Sequence, residues 1–318
     1  MEANFIITGF IFINNILAGI IFGYHVIVVK RKKGVMKPPK GNQKRKGNKN
    51  VKKYILAFLI LGLAAVLITG CGQSDQDNSW EAVEEKGEFV LGLDDSFPPM
   101  GFRDENGNIV GFDVDLAKEV CERLEIELKL QPINWDAKEQ ELNSGKIDCI
   151  WNGFTITEER KNNLLFTEAY LNNRQVLIVN AKSSFKTQAD LKGKKLGLQA
   201  GSSAADALNS APDFKAGLRE VVEFDDNMMA LMDLEKGGID VVLMDEIVAR
   251  FYIQNKNKPY QVLAEELSKE EYGIGFRKQD QELMEKIQAT LEEMAEDGKL
   301  AEISTHWFGK DITTIAAE

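Results

Sequence analysis

From Phe89 onward the chain alternates short apolar runs with amphipathic segments, and after roughly 90 residues the alternation begins again. Phe89–Leu93 reads as a buried strand. Phe112, Leu116, Val120 and Leu124 recur every four residues, so 112–124 is predicted to be a helix with one apolar face. Ile126, Leu128 and Leu130 alternate, which puts them on one face of a strand. Glu139–Ser144 reads as a helix stopped by Gly145, and Ile147–Ile150 as the next strand. The second round starts with strands at Val176–Val179 and Lys195–Leu198, a turn at Gly201 and a helix from Ser203. Strand Glu220–Phe224 follows, then a helix capped by Asn227 and ending at Gly237-Gly238, then strand Ile239–Leu243. Tyr272–Phe276 is predicted as a strand and Gln281–Glu296 as a long helix. A β-α-β-α-β order implies a parallel sheet with helices on both faces. Two such units make an α/β chain of two lobes, and ligands of such sheets bind at the carboxyl ends of the strands.

Ahead of this body stand residues 51–72, V-K-K-Y-I-L-A-F-L-I-L-G-L-A-A-V-L-I-T-G-C-G. The uncharged run Tyr54–Thr69 is shorter than the roughly 20 residues of a spanning helix. Lysines precede it and small residues close it, the layout of a secretory signal. Ile68-Thr69-Gly70-Cys71 resembles a bacterial lipobox, which implies a signal peptide over 51–70, lipidation at Cys71 and a linker over 71–86. A second apolar run, Phe5–Val29, and a basic stretch, Lys30–Lys53, come earlier. Two readings of residues 1–50 stand. One is a membrane hairpin with its basic loop on the cytoplasmic side. The other, which is favoured, is a later translation start, at Met36 or at Val51 encoded by GUG. Either way these residues form an extension outside the functional fold.

Charge divides the chain at the same place. Residues 1–70 hold 12 of the 39 lysines and arginines and one of the 50 acidic residues, leaving 27 basic and 49 acidic groups for the other 248. A body with that acidic excess is not expected to bind nucleic acid, whose phosphates need a basic surface. After Cys71 no apolar run is long enough to span, so the body is expected to be tethered and not embedded. His25 and His306 are the only histidines, no His/Cys cluster has metal-ligand spacing, and no cofactor or metal is implied. Cys121 and Cys149 are either a disulfide, which an oxidising compartment permits, or two small buried side chains.

The predicted strand ends concentrate chemistry. They carry Asp94-Asp-Ser-Phe97, Trp151-Asn152-Gly153-Phe-Thr155 running on to Arg160, Gln199-Ala-Gly201-Ser202-Ser203, and Met244-Asp245. An arginine beside a turn of backbone N–H groups can hold a carboxylate. An aspartate can hold an ammonium, and aromatics can exclude water around the rest. The set suits a small zwitterion. Each residue also has an ordinary structural role open to it. Arg160 could be a solvated charge, Asp245 an N-cap, Trp135 a core residue, Asp94 a turn residue, and Ser202 and Ser203 helix caps.

F-D-V-D-L-A at 112–117, G-F-T-I-T-E-E-R at 153–160, A-G-S-S at 200–203 and V-V-L-M-D at 241–245 resemble the polar amino-acid-binding proteins of ABC importers. The likeness runs from Gly87 to Gly309. It implies a two-lobed, type II periplasmic-binding-protein-like fold, each lobe a mainly parallel sheet flanked by helices, joined by a two-strand hinge. Lobe 1 would comprise 87–171 and 273–318 and lobe 2 would comprise 172–272, with crossings near 170–174 and 269–272. By the same resemblance Arg160 would pair with a ligand α-carboxylate, helped by Thr155 and the backbone near Gly153 and Ser202. Asp245 would take the α-ammonium, Phe97 and Trp135 would stack on the ligand, and Asp94 would meet its side chain. Trp151-Asn152 departs from the small residues common in the family. The indole is expected to narrow or shift the pocket, and Asn152 to reach the ligand. The implied protein is a monomeric lipoprotein on the extracytoplasmic face of the cell membrane, passing a polar amino acid to a permease and its ATPase subunit. A tethered ligand sensor, or a dehydratase-like enzyme on the same scaffold, is the alternative.

Overall fold

A computed structural model describes residues 77–316. The two apolar runs, the predicted cleavage site and Cys71 lie outside the described residues. A helix over Ser79–Lys86 leads into β1 (Glu88–Leu93). A small antiparallel sheet follows, made of β2 (Ser96–Phe97), β3 (Gly101–Arg103) and β4 (Ile109–Val110). The four-residue period then becomes the helix Phe112–Arg123, which buries Phe112, Val114, Leu116, Ala117 and Val120. Each large apolar side chain buried this way contributes about 1.5–3 kcal/mol.

β5 (Glu127–Pro132) lies parallel to β1, with Phe89 opposite Leu128 and Leu91 opposite Leu130. The helix Lys138–Asn143 returns the chain to β6 (Cys149–Ile150), parallel to β1 on its other side. The helix Glu158–Asn163 and β7 (Leu164–Phe166) complete the first run. The second sheet begins with β8 (Leu171–Asn180) and β9 (Lys195–Gln199). Helices Ser203–Asn209 and Pro212–Gly217 precede β10 (Glu220–Phe224), and helix Asn227–Lys236 precedes β11 (Val241–Asp245). Helix Glu246–Asn255 and the 13-residue β12 (Tyr260–Tyr272) end this sheet. β13 (Gly275–Arg277) then rejoins the first sheet; helix Gln281–Glu296 packs on it, and helix Lys299–Phe308 packs on the 281–296 and 112–123 helices.

The sheet orders are β5-β1-β6-β13-β7 and β10-β9-β11-β8-β12. The first three strands of each are parallel, as the β-α-β order requires, and the last two join antiparallel. β8 and β12 pair from Leu171↔Tyr272 to Asn180↔Tyr260, with irregular register between Val262 and Ser268. This ribbon carries the chain between the two sheets. Apolar clusters sit on each: Trp135, Leu142, Ile147, Ile150, Phe154 and Leu164 on the first, and Leu177, Leu196, Leu198, Val241 and Leu243 on the second.

Two local expectations change, and one open alternative is decided. Tyr272–Phe276 is not one strand: Tyr272 ends β12 and only Gly275–Arg277 joins the first sheet. The cap of the 227–236 helix is Asp226, whose carboxylate accepts the Met229 N–H at 2.7 Å, and not Asn227. Cys121 and Cys149 are buried free thiols, which decides against the disulfide. No helix among the described residues is long and apolar enough to cross a membrane.

Candidate functional site

The segments that follow β1, β6, β9 and β11 meet between the two sheets. Gln199 Nε2 donates to Asp94 Oδ2 at 2.8 Å, and the hydroxyls of Thr155 and Ser203 are 3.1 Å apart. Two glycines make this approach possible. Gly201 has φ +65°, and a Cβ there would lie 2.9 Å from the Asp136 Cα, so only a residue without a side chain lets the facing backbone come so near. Gly153 has φ +56°, and a Cβ there would lie 2.9 Å from Phe97 and 3.1 Å from the Tyr272 ring.

Arg160 is 6 % exposed, so it is not a solvated charge. Thr157 caps its helix through the Arg160 N–H, which fixes where the side chain starts. The guanidinium lies over the Phe154 ring at 4.5 Å and donates to the Thr155 carbonyl at 2.7 Å and the Gly201 carbonyl at 3.5 Å. Both partners are neutral. Burial pulls its pKa below the usual arginine range.

Asp245 stands at the N-cap position of the 246–255 helix without capping it. Its Oδ1 instead accepts the Tyr272 hydroxyl at 2.6 Å and Asn173 Nδ2 at 2.7 Å. Burial first, and then the nearby Glu270 carboxylate, push it up to about 7. Asp94 is buried too and accepts the Ser96 N–H at 2.8 Å besides Gln199, so it is a turn residue and a contact between lobes at once. Burial pushes it up to about 6 against those hydrogen bonds. Gln199 is held in turn by Asn227, which donates to its Oε1 at 3.0 Å. Ser202 Oγ donates to the Gln199 carbonyl at 2.7 Å and does not cap its helix.

Other predicted residues turn away from the cleft. Asn152 accepts the Asp94 N–H at 3.1 Å through Oδ1, and its Nδ2 points at Gly101, so its amide braces the loop after β1. Trp151 is fully buried in the cluster with Leu93, Met100 and Phe112, so its indole does not narrow the pocket. The Gly153 N–H is taken by the fully buried Asp113 at 2.6 Å, which leaves that N–H unavailable to a carboxylate. The Trp135 ring packs edge-on against Phe154 at 5.8 Å, within the apolar cluster of its own lobe.

Sequence reasoning missed Lys138, Asn173, Gln175, Glu270 and Tyr272. Lys138 Nζ bridges the lobes, donating to the Gly201 carbonyl at 2.7 Å and the Trp135 carbonyl at 3.2 Å. Burial, reinforced by Arg160, lowers it to about 8. Asn173, Gln175, Glu270 and Tyr272 all lie on the β8–β12 ribbon, and the predicted crossings at 170–174 and 269–272 were the one signal pointing there. Among the described residues no group of three or more His, Cys, Asp or Glu side chains could hold a metal ion.

Comparison with known proteins agrees with this architecture. The L-cystine-binding protein TcyJ of Escherichia coli is 33% identical over 239 residues, covering 73% of this chain and 86% of that protein. The L-arginine-binding protein of Pseudomonas aeruginosa is 33% identical over 230 residues, covering 70% and 88%. An ABC uptake transporter substrate-binding protein from Streptococcus pneumoniae, solved with bound histidine, superposes with a TM-score of 0.73 at 37% identity, covering 76% of this chain and all of that one. Residues 89–310 match the model of the bacterial extracellular solute-binding proteins, family 3, and with these relatives the match places the chain in that family.

Proposed function

We propose that this chain captures a polar α-amino acid between its two lobes and delivers it to an ABC permease and its ATPase subunit. One observation carries the reading. A buried arginine and a buried aspartate face the same cleft without a direct ion pair between them. Arg160 is satisfied only by carbonyl oxygens, and Asp245 only by neutral donors. A zwitterion supplies the two missing partners, its carboxylate for Arg160 and its ammonium for Asp245. By this reading Thr155, Ser202 and Ser203 would assist at the carboxylate, and Asp94, Gln199 and Phe97 would meet the rest of the ligand.

The lobes, 87–171 with 273–318 and 172–272, would open about the β8–β12 ribbon and close on the ligand, which shifts the population toward the closed form. Cys71 would carry the lipid that holds the monomer on the extracytoplasmic face of the membrane. The protein would bind and release its ligand without transforming it. Thermal unfolding of the full chain in detergent, screened against the common amino acids plus cystine and ornithine at ~1 mM, tests the reading. A micromolar ligand stabilises by about 4 kcal/mol and raises Tm by several degrees. A folded protein that no amino acid stabilises would overturn it.

A further inference from the structure

Glu270 faces Asn173 across the ribbon, and its side chain reaches into the cleft. Its Oε2 lies within hydrogen-bond distance of four donors, Thr155 Oγ1 at 3.0 Å, Gln175 Nε2 at 3.0 Å, Asn173 Nδ2 at 3.1 Å and Ser203 Oγ at 3.2 Å. Those donors come from the first lobe, the ribbon and the second lobe. The same Asn173 nitrogen also donates to Asp245 Oδ1. Two carboxylates therefore share one amide nitrogen as their bridge, and every one of these donors is neutral.

The cations nearby are engaged elsewhere. Arg174 is paired with Glu246 and Glu266, Arg160 with two carbonyls, and Lys138 with two carbonyls. A second imbalance points the same way. Asn173 and Gln175 give their N–H groups to the carboxylates, which fixes their amide orientation, and leave Asn173 Oδ1 and Gln175 Oε1 buried without a donor among the described residues. Gln175 is fully buried. Two carboxylates and two orphaned amide oxygens form a pocket rich in acceptors and short of donors. Neutral water could satisfy the oxygens but not the charge. A primary ammonium, with three N–H groups and one positive charge, satisfies both.

We propose that Glu270 is the second carboxylate of the ammonium site, acting with Asp245 so that the protein selects ligands by a free, charged primary ammonium. The inference rests on the amino-acid-binding reading and adds to it a residue and a rule of selection. An N-acylated or deaminated ligand leaves the two carboxyl groups side by side with no cation and is rejected more strongly than one aspartate alone would reject it. Binding also expels a proton. Without the ligand, Asp245 beside Glu270 holds its proton up to neutral pH. With an ammonium beside it Asp245 ionises.

The test is titration calorimetry on the full chain in detergent, with L-arginine, L-histidine and L-cystine as probes, in buffers of differing ionisation enthalpy. Wild type, Glu270→Gln, Glu270→Asp and Asp245→Asn are compared. Glu270→Gln is expected to weaken the best probe by at least about tenfold near pH 7 and to lower the number of protons released. Glu270→Asp, which keeps the charge, retains most of the proton release, and this separates a charge role from a packing role. Should Glu270→Gln bind within about twofold of wild type, or Glu270→Asp lose proton release as fully as Gln, the role of Glu270 is overturned while loss of binding in Asp245→Asn leaves the wider reading intact. If no probe or other α-amino acid binds the wild type, the wider reading falls and takes this one with it.

Discussion

Replacing Arg160 with alanine tests the carboxylate half of the site directly. The guanidinium is 6 % exposed and makes one good hydrogen bond, to the Thr155 carbonyl at 2.7 Å, and a marginal one, to the Gly201 carbonyl at 3.5 Å. A guanidinium has five N–H donors, so most of its capacity remains for a ligand. In the variant the ligand carboxylate enters a buried site with no cation, a loss of about 2–5 kcal/mol, or roughly 30-fold to roughly 5,000-fold in Kd. The fold itself loses the contact with Phe154, about 0.5–2 kcal/mol, and gains relief from a buried charge, so the apo protein is expected to stay folded. Calorimetry with the best amino acid, and with the amine that lacks its carboxylate (agmatine for arginine, histamine for histidine), separates these effects. The amino acid should lose its affinity and the amine should bind both proteins alike. Binding of the amino acid within threefold of wild type would refute the assignment. Equal losses for amino acid and amine would refute it as well, because the damage would then not be to the carboxylate.

Other outcomes follow from the same geometry. Asp245 and Asp113 are both pushed up to about 7 by burial, so the folded state holds protons that the unfolded chain, with carboxylates near 3.9, has released. Apo stability should therefore rise as pH falls from about 8 to about 5, while ligand affinity, which needs ionised Asp245, falls over the same window; parallel slopes would contradict the assignment. Gly153→Ala puts a Cβ 2.9 Å from Phe97 at φ +56°, and should cost about 1–3 kcal/mol in urea unfolding and weaken binding. Lys138→Met removes the amine that bridges to Gly201 at 2.7 Å. It should speed ligand release several-fold, read by stopped flow, with little change in association rate.

The alternation of strand and helix was legible because both sheets are built from short, apolar strands with amphipathic helices between them. β12 was not, since A-E-E-L-S-K-E-E has no apolar period and the strand there is only partly buried and irregular in register. Tyr272 was joined to the next strand because Y-G-I-G-F is continuous in hydropathy, while the break between sheets falls at Gly273 and Ile274. Arg160 and Asp245 were found because the rule of strand ends points to the segments holding them. Glu270 escaped that rule, as its place comes from the register of two antiparallel strands, which sequence does not state. Lys138 looked like any surface lysine in a helix, and its burial arises from the approach of Gly201, 63 residues away. Trp151 and Asn152 were misread for a related reason. Their position after a strand is visible in sequence, but the face they turn to is decided by the packing of Leu93, Met100 and Gly101.

The same geometry bears on whether an empty site would stay shut. The polar contacts between the lobes include Asp94 with Gln199, Lys138 with Gly201 and Thr155 with Ser203. A neutral hydrogen bond contributes about 0.5–1.5 kcal/mol net, and one to a charged group about 1.5–3, so these contacts hold the closed form only modestly. Against them stand Asp245 and Glu270, brought together with no cation in direct contact, and Arg160, with no anion in direct contact. Burial and the facing Glu270 carboxylate both disfavour the Asp245 charge in this arrangement, which opposes those contacts. Closure without ligand should therefore be nearly balanced. A zwitterion removes both penalties at once, whereas a ligand carrying one charge removes one and leaves the other. The second charge thus acts on the lobe equilibrium and not only on the contact energy, so amino acids should close the protein far more completely than the corresponding amines or acids at equal occupancy. Distance measurements between labels on the two lobes, made at saturation with each ligand, would read this directly. Equal closure by the amine and the amino acid would mean that the hinge ribbon, and not the charges it carries, sets the closed state.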